Sequence, residues 1–135
     1  MKRWVNVMIT VLALTVGGLM YVVLREKSYL ANIFAGSPLL AFLRAVFSGN
    51  GWRMASCYLP DFLWSLALTC ALIALFQPSK AGCSYCALVG MLCGLIWEVL
   101  QTLRIVSGTG DIWDILAYSS AATMGFFINT KERKR

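Results

Sequence analysis

Residues Trp97–Gly125, WEVLQTLRIVSGTGDIWDILAYSSAATMG, decide how the chain is read. Two apolar runs meet here across a glycine-containing turn, Ser107-Gly108-Thr109-Gly110. Glu98 and Gln101 stand near the end of the first run, Arg104 lies at its edge, and Asp111 and Asp114 open the second. Glu98, Asp111 and Asp114 are three of only six acids in 135 residues. Ionisable groups are costly to bury in lipid, so a cluster of them beside long apolar runs marks a functional region by default.

The rest of the chain makes lipid the natural solvent for those runs. Hydrophobic residues are 59% and charged residues 13% of the total, with a mean hydropathy of +0.72, whereas a soluble domain carries about 25% charge. The length fits one domain, and we take 1–135 as a single transmembrane unit. Continuous apolar runs cover about 4–24, 61–77, 83–103 and 112–130. At about 1.5 Å per residue, the first reaches roughly 30 Å, the thickness of a bilayer core. The expected fold is therefore all-α: a polytopic membrane bundle of four transmembrane helices. A cleaved signal peptide would have a shorter apolar core and a small-x-small site. Here Arg25-Glu26-Lys27 follows the first run instead, so that run is read as an uncleaved helix.

Between the first two runs, Ser37–Phe47 (SPLLAFLRAVF) has a Ser N-cap and Pro at the first helical position. It is too short to span, and it carries Arg44. A surface-lying or re-entrant helix in the first loop is expected. Ser48-Gly49-Asn50-Gly51 ends it with turn residues. The second span is read between Pro60 and Pro78, where Asp61, Ser65 and Thr69 recur at i, i+4, i+8 on one face. On the third, Gly90 and Gly94 lead up the face that carries Glu98. On the fourth, Asp111, Asp114, Tyr118, Ala121, Gly125 and Asn129 share a 3–4 spacing. The Gly90–Gly94 pair permits close helix contact, read as packing within the chain before dimerisation.

Four crossings put both termini on one side. Lys2, Arg3, Lys80, Lys131, Arg133, Lys134 and Arg135 crowd short segments there, while Arg25, Lys27, Arg44, Arg53 and Arg104 lie on the other side, mostly in a longer loop. The positive-inside rule then places both termini in the cytoplasm. Asp61, Glu98, Gln101, Arg104, Asp111 and Asp114 come to the outer mouth. The five tryptophans lie mostly near span ends, where interfacial aromatics belong.

Several function classes drop out. The net charge of +6 sits at the termini without interleaved aromatics, so no nucleic-acid partner is expected. Histidine is absent, which removes the triad chemistries and the commonest metal ligand. Cys83-x-x-Cys86 has no second pair, and cysteines inside apolar runs behave as small hydrophobes. Ser-Gly-Thr-Gly lacks the lysine of a phosphate-binding loop.

Glu98 lies a turn and a half inside its span, where a bare carboxylate costs about 2–3 kcal/mol. It therefore needs a proton, a cation or a watered cavity. Arg104 at i+6 is poorly placed for this, and Arg53, arriving from the loop, is the freer cation. A structural ion pair and a ligand-contacting acid both stay open. Asp111 as a plain N-cap explains itself; Asp114, deeper, needs a partner more. The candidate pocket is Asp61, Glu98, Gln101, Arg104, Asp111, Asp114, Arg53 and Tyr118. No cofactor is evident, although the acids suit a divalent cation with water.

These residues resemble the VanZ-like family of small bacterial membrane proteins. The pattern is an acid and a glutamine three apart (Glu98, Gln101), a basic residue at the turn (Arg104), a paired-Asp helix start (Asp111, Asp114) and a later glycine (Gly125). Leu59-Pro60-Asp61 resembles the family's acid before an earlier span, and the similarity covers about 59–127. Tyr118 stands where the family usually has Asn, and a glycine near Ala121 or Ala122 is missing. The resemblance implies a four-to-five-helix envelope protein linked to resistance to teicoplanin-type glycopeptides. It supplies no established reaction. Three functions are thus expected in order: binding of a lipid or lipid-linked envelope component or a glycopeptide, enzymatic action on such a lipid through the carboxylates, and an accessory role in a membrane complex. Membrane lipids are expected partners in each, with a homo-oligomer or a membrane partner left open.

Overall fold

Asn6 and Asn129, 123 positions apart, are joined by a hydrogen bond of 2.8 Å from the Asn6 amide to the Asn129 side-chain oxygen. The beginning and the end of the described chain therefore lie at the same end of the bundle. The computed structural model describes residues 3–24, 33, 36–47, 50–106 and 110–131. Lys2, the Arg25-Glu26-Lys27 charges, Ser48 and Gly49, the Ser107, Gly108 and Thr109 turn residues and the tail after Lys131 lie outside them, as does the side chain of Arg53. Among the described residues there are five helices and no strand: α1 (Arg3–Leu24), α2 (Pro38–Val46), α3 (Asn50–Phe76), α4 (Lys80–Thr102) and α5 (Ile112–Lys131).

Three helices are long and apolar enough to cross a membrane, over Arg3–Val23, Cys57–Phe76 and Lys80–Thr102. Four were expected. The helix that falls short, α5, has the length, but Asp114, Tyr118, Ser119, Ser120, Thr123 and Asn129 dilute its apolar content. A second expectation also changes. The span read from Asp61 to Gln77 corresponds to the later part of a helix that runs from Asn50 to Phe76 with Pro60 inside it, and Gln77 lies past its end at φ 46. Proline removes one backbone donor and favours a kink, but helices in membranes tolerate it where neighbours meet the freed groups. Here α1 packs on that turn, with Gly17 placed 3.9 Å from the Pro60 carbonyl and 3.6 Å from Leu63 Cβ, measured from where a Cβ would stand.

Pairings along the helices give the topology. Thr10 Oγ1 of α1 donates to the Ala67 carbonyl of α3 (3.3 Å) while Gly17 meets Pro60, so α1 and α3 are antiparallel. On α4, Cys83 packs with Ile73 and Gly90 with Thr69; α3 and α4 are antiparallel too. On α5, Tyr118 meets Gly94 and Phe126 meets the Cys83–Cys86 cluster. The result is an up-down-up-down bundle in which α3 touches α1, α4 and α5. Cys83 and Cys86 of the C-x-x-C are buried free thiols in an apolar cluster.

The distribution of polarity is inverted relative to a water-soluble bundle. Asn6, Ser65, Thr69, Glu98, Asn129 and Thr130 are buried, whereas Trp4, Met8, Leu12, Leu19, Leu75 and Phe127 are more than half exposed. A solvent that is itself apolar gives no reason to hide leucine and every reason to pair asparagine. This is the arrangement of a membrane protein. Small residues allow the close approach it needs: a Cβ at Gly90 would collide with Thr69 Oγ1, and one at Gly125 would lie 2.8 Å from Thr69 Cγ2.

The short helix α2 falls where expected, and Pro38 occupies its first turn. Ser37 has extended N-cap geometry, but its side chain makes no cap hydrogen bond. Arg44 does the positioning. Its Nε donates to the Val23 carbonyl (3.2 Å) and its Nη2 to the Val22 carbonyl (3.3 Å). These are orphan acceptors of the last turn of α1, at the negative end of that helix.

Candidate functional site

At the end of the bundle opposite the Asn6–Asn129 pair, α3, α4 and α5 bring their acids together. Tyr118 of α5 is the hub. Its hydroxyl lies 3.0 Å from Asp61 Oδ1 of α3 and 3.4 Å from Glu98 Oε1 of α4. A phenol has one proton to give, and two carboxyl groups converge on it. Tyr118 and Glu98 are each only 3% exposed, and Asp61 is half-buried.

The other oxygen of Glu98, Oε2, accepts the Asp111 backbone N–H at 3.0 Å. This bond ties the end of α4 to the start of α5. Asp111 in turn is the N-cap of α5: its Oδ1 accepts from the Trp113 N–H (3.1 Å), and its carbonyl from the Asp114 N–H (3.2 Å). Capping of this kind satisfies donors that the first turn leaves open. Asp111 Oδ2 faces Tyr58 of α3, whose hydroxyl donates to it at 3.4 Å. A network therefore runs from Asp61 through Tyr118 and Glu98 to Asp111 and Tyr58.

Glycines set its spacing. The Tyr118 ring lies on Gly94, where an added Cβ would collide with the ring atoms. Gly110 approaches α4 so closely that a Cβ would collide with Thr102 Oγ1 and stand 3.0 Å from the Glu98 carbonyl. Thr102 Oγ1 donates to that carbonyl at 2.8 Å. Below the hub, Ser65 Oγ donates to the Tyr118 carbonyl at 3.1 Å, which fixes the level of α5 against α3.

Of the expected pocket residues, Asp61, Glu98, Asp111 and Tyr118 meet directly, and Asp114 sits half-buried in the first turn of α5. Gln101 is half-buried one turn above Glu98, and its carbonyl accepts from the Arg104 N–H at 2.9 Å. Arg104 is placed otherwise than a counter-ion would be. It is exposed and has φ 58, in the left-handed region that terminates a helix, while Ile105 N–H closes back on the Leu100 carbonyl (2.9 Å). The hydrogen bonds of Glu98 go to Tyr118 and Asp111 instead. Arg53's side chain lies outside the described residues. Among the described residues, no group of three or more acidic or cysteine side chains is arranged to hold a metal ion.

Sequence reasoning missed Tyr58, Gly94 as the seat of Tyr118, and Gly110 as the contact that lets Asp111 reach Glu98. Gly94 carried a signal in its spacing from Glu98. Tyr58 carried none once Pro60 was taken as a helix boundary.

An open groove adjoins the network. It has a volume of about 690 Å³ and lies between Tyr58, Leu59 and Phe62 of α3 and Trp113, Leu116 and Ala117 of α5. Tyr58 belongs to both, and with Ser120 it brings the polar side chains to a groove whose walls are otherwise apolar. The class of molecule defined so far is a helical membrane protein with a carboxylate–phenol network at one end of its bundle. In comparison with protein families, curated proteins and solved structures, nothing matches this chain.

Proposed function

We propose that this chain is a four-span protein of the bacterial inner membrane that binds the polar head of an amphiphilic envelope component at Asp61, Glu98, Asp111 and Tyr118. In this reading α5 is the fourth crossing: the polar side chains that lower its apolar content include Tyr118 and Asn129, which are buried, and a bundle-facing polar residue does not have to be transferred into lipid. Both termini lie in the cytoplasm, and the network faces out. The resemblance of Glu98, Gln101, Arg104, Asp111, Asp114 and Gly125 to the VanZ-like pattern supports an envelope role and a link to glycopeptide resistance.

One observation carries the proposal. Two helices converge their acids on the buried phenol of a third at a helix-end mouth, an arrangement more elaborate than capping α5 requires. Acceptor oxygens dominate it, so the fitting ligand presents hydrogen-bond donors. The test replaces charge but keeps shape, with Glu98→Gln and Asp61→Asn. Native mass spectrometry of the protein released from its own membranes is expected to show a retained lipid that both variants lose at unchanged membrane abundance. Loss of abundance without loss of the lipid per molecule would assign the acids a structural role.

A second reading has one observation in its favour. A phenol held between two carboxyl groups can pass a proton between them, which is the equipment of general acid–base catalysis on a lipid head group. Turnover of envelope lipids by the purified protein, abolished in Tyr118→Phe, would select it.

A further inference from the structure

The groove between α3 and α5 shares Tyr58 with the acid network, and the helix packing leaves it unfilled. We infer that it seats one acyl chain of a bilayer aminolipid whose ammonium head reaches Asp111, so that the ligand of the site arrives sideways from the membrane. This inference rests on the head-group reading above and names its ligand class.

The first argument is polarity along the groove. Helices α3 and α5 run the same way from the site end, so Tyr58 to Phe62 and Trp113 to Ala117 each descend about one turn, roughly 6 Å, towards the bundle's middle. Tyr58 and Trp113 stand at the top, where Tyr58 bonds Asp111. Leu59, Phe62, Leu116 and Ala117 follow below. Ser120, deeper on the same wall, spends its hydroxyl on the Ala117 carbonyl at 3.0 Å, so it offers no donor to a polar occupant. A molecule matched to this profile is polar at one end and hydrocarbon at the other.

The second argument is access. The groove is open along its side, on helices whose outer faces are apolar, so what meets that opening in a membrane is lipid. A water-soluble ligand would have no reason to occupy it.

The third is the chemistry of the top. Asp111 accepts one backbone N–H through Oδ1 and one long phenol bond through Oδ2, and a carboxylate has about four acceptor positions. Acceptor capacity remains, next to the Tyr58 hydroxyl at the top of the groove. A carboxylate with open acceptor positions recognises an alkylammonium group through charge-assisted hydrogen bonds.

The experiment uses the full chain in phosphatidylglycerol vesicles, a host lipid without an ammonium group. They contain a small fraction of phosphatidylethanolamine with a photoactivatable diazirine in one acyl chain. After irradiation, adducts are expected to concentrate on Leu59, Phe62, Leu116 and Ala117. Ala117→Trp, which fills the groove, is expected to reduce them several-fold. Ser120→Trp repeats the block one turn deeper if Ala117→Trp fails to assemble. Phosphatidylglycerol with the same chain is expected to label the groove several-fold less. Labelling spread evenly over the exposed faces of α1 and α4, undiminished by either tryptophan, would overturn the chain site. Equal labelling by both lipids would overturn the ammonium head. Groove labelling that resists Glu98→Gln but falls in Ala117→Trp would instead overturn the head-group reading and leave the chain site standing.

Discussion

Tyr118 does more in this molecule than its place among alanines and serines would announce. Its ring fills the space above Gly94, and its hydroxyl joins Asp61 and Glu98. Two substitutions separate these roles. Tyr118→Phe keeps the packing and leaves the buried Glu98 and the half-buried Asp61 without their common donor, a loss of about 1–3 kcal/mol, to be seen as a lower melting temperature in detergent. Gly94→Ala keeps the hydroxyl but displaces the ring, an overpacking cost of about 1–3 kcal/mol. Both are expected to lose the retained lipid, and a Gly94→Ala variant that keeps it would show that the ring need not lie there. Arg104 predicts the opposite. A non-glycine residue in the left-handed region is strained by about 1 kcal/mol, so Arg104→Gly is expected to retain the lipid and to melt at the same temperature or higher. Loss of lipid in that variant would make Arg104 a ligand contact.

At the scale of elements, polar contacts at both ends hold the most exposed of the three long apolar helices in place. Most of α1 is exposed, yet it is pinned at one end by Asn6 to Asn129 and at the other by Arg44 to its last carbonyls. Removing either amide of the Asn6–Asn129 pair strands its partner. A double-mutant cycle with Asn6→Ala and Asn129→Ala is expected to give a coupling of about 0.5–1.5 kcal/mol, the range for interhelical hydrogen bonds in membranes. Zero coupling would mean that apolar packing alone seats α1. Arg44→Met keeps the length of the side chain and removes its donors, and about 1–2 kcal/mol of stability is expected to go with two charge-assisted bonds.

These elements also show what could be read from residues alone. The apolar runs announced α1 and α4 to within a few residues, because nothing competes with run length when lipid is the solvent. The face shared by Asp61, Ser65 and Thr69 was legible for the same reason: a 3.6-residue period survives any bundle. Pro60 misled because a membrane helix tolerates proline where its neighbours meet the freed backbone groups, and the extra turns of α3 before it bring in Tyr58. Arg104, at i+6 from Glu98, read as poorly placed for an ion pair, and it is exposed; its positive φ is invisible in letters. Asn6 drew no attention, since its partner is 123 residues away.

For the molecule as a whole, the inverted polarity and the up-down-up-down path place two distinct polar regions at opposite ends. One, around Asn6 and Asn129, is internal and structural. The other, around Glu98 and Tyr118, sits at a mouth beside an open groove. Which end faces the outside decides whether the acid network can meet an envelope ligand at all. The most direct measurement is thiol labelling in intact cells with a membrane-impermeant maleimide, on a background with the five native cysteines replaced. Leu103→Cys and Ala81→Cys report the two ends of α4, since both positions are exposed. The account predicts that the thiol at 103 is labelled in intact cells and the thiol at 81 only after lysis. Labelling at 81 from outside, with 103 protected until lysis, would contradict it.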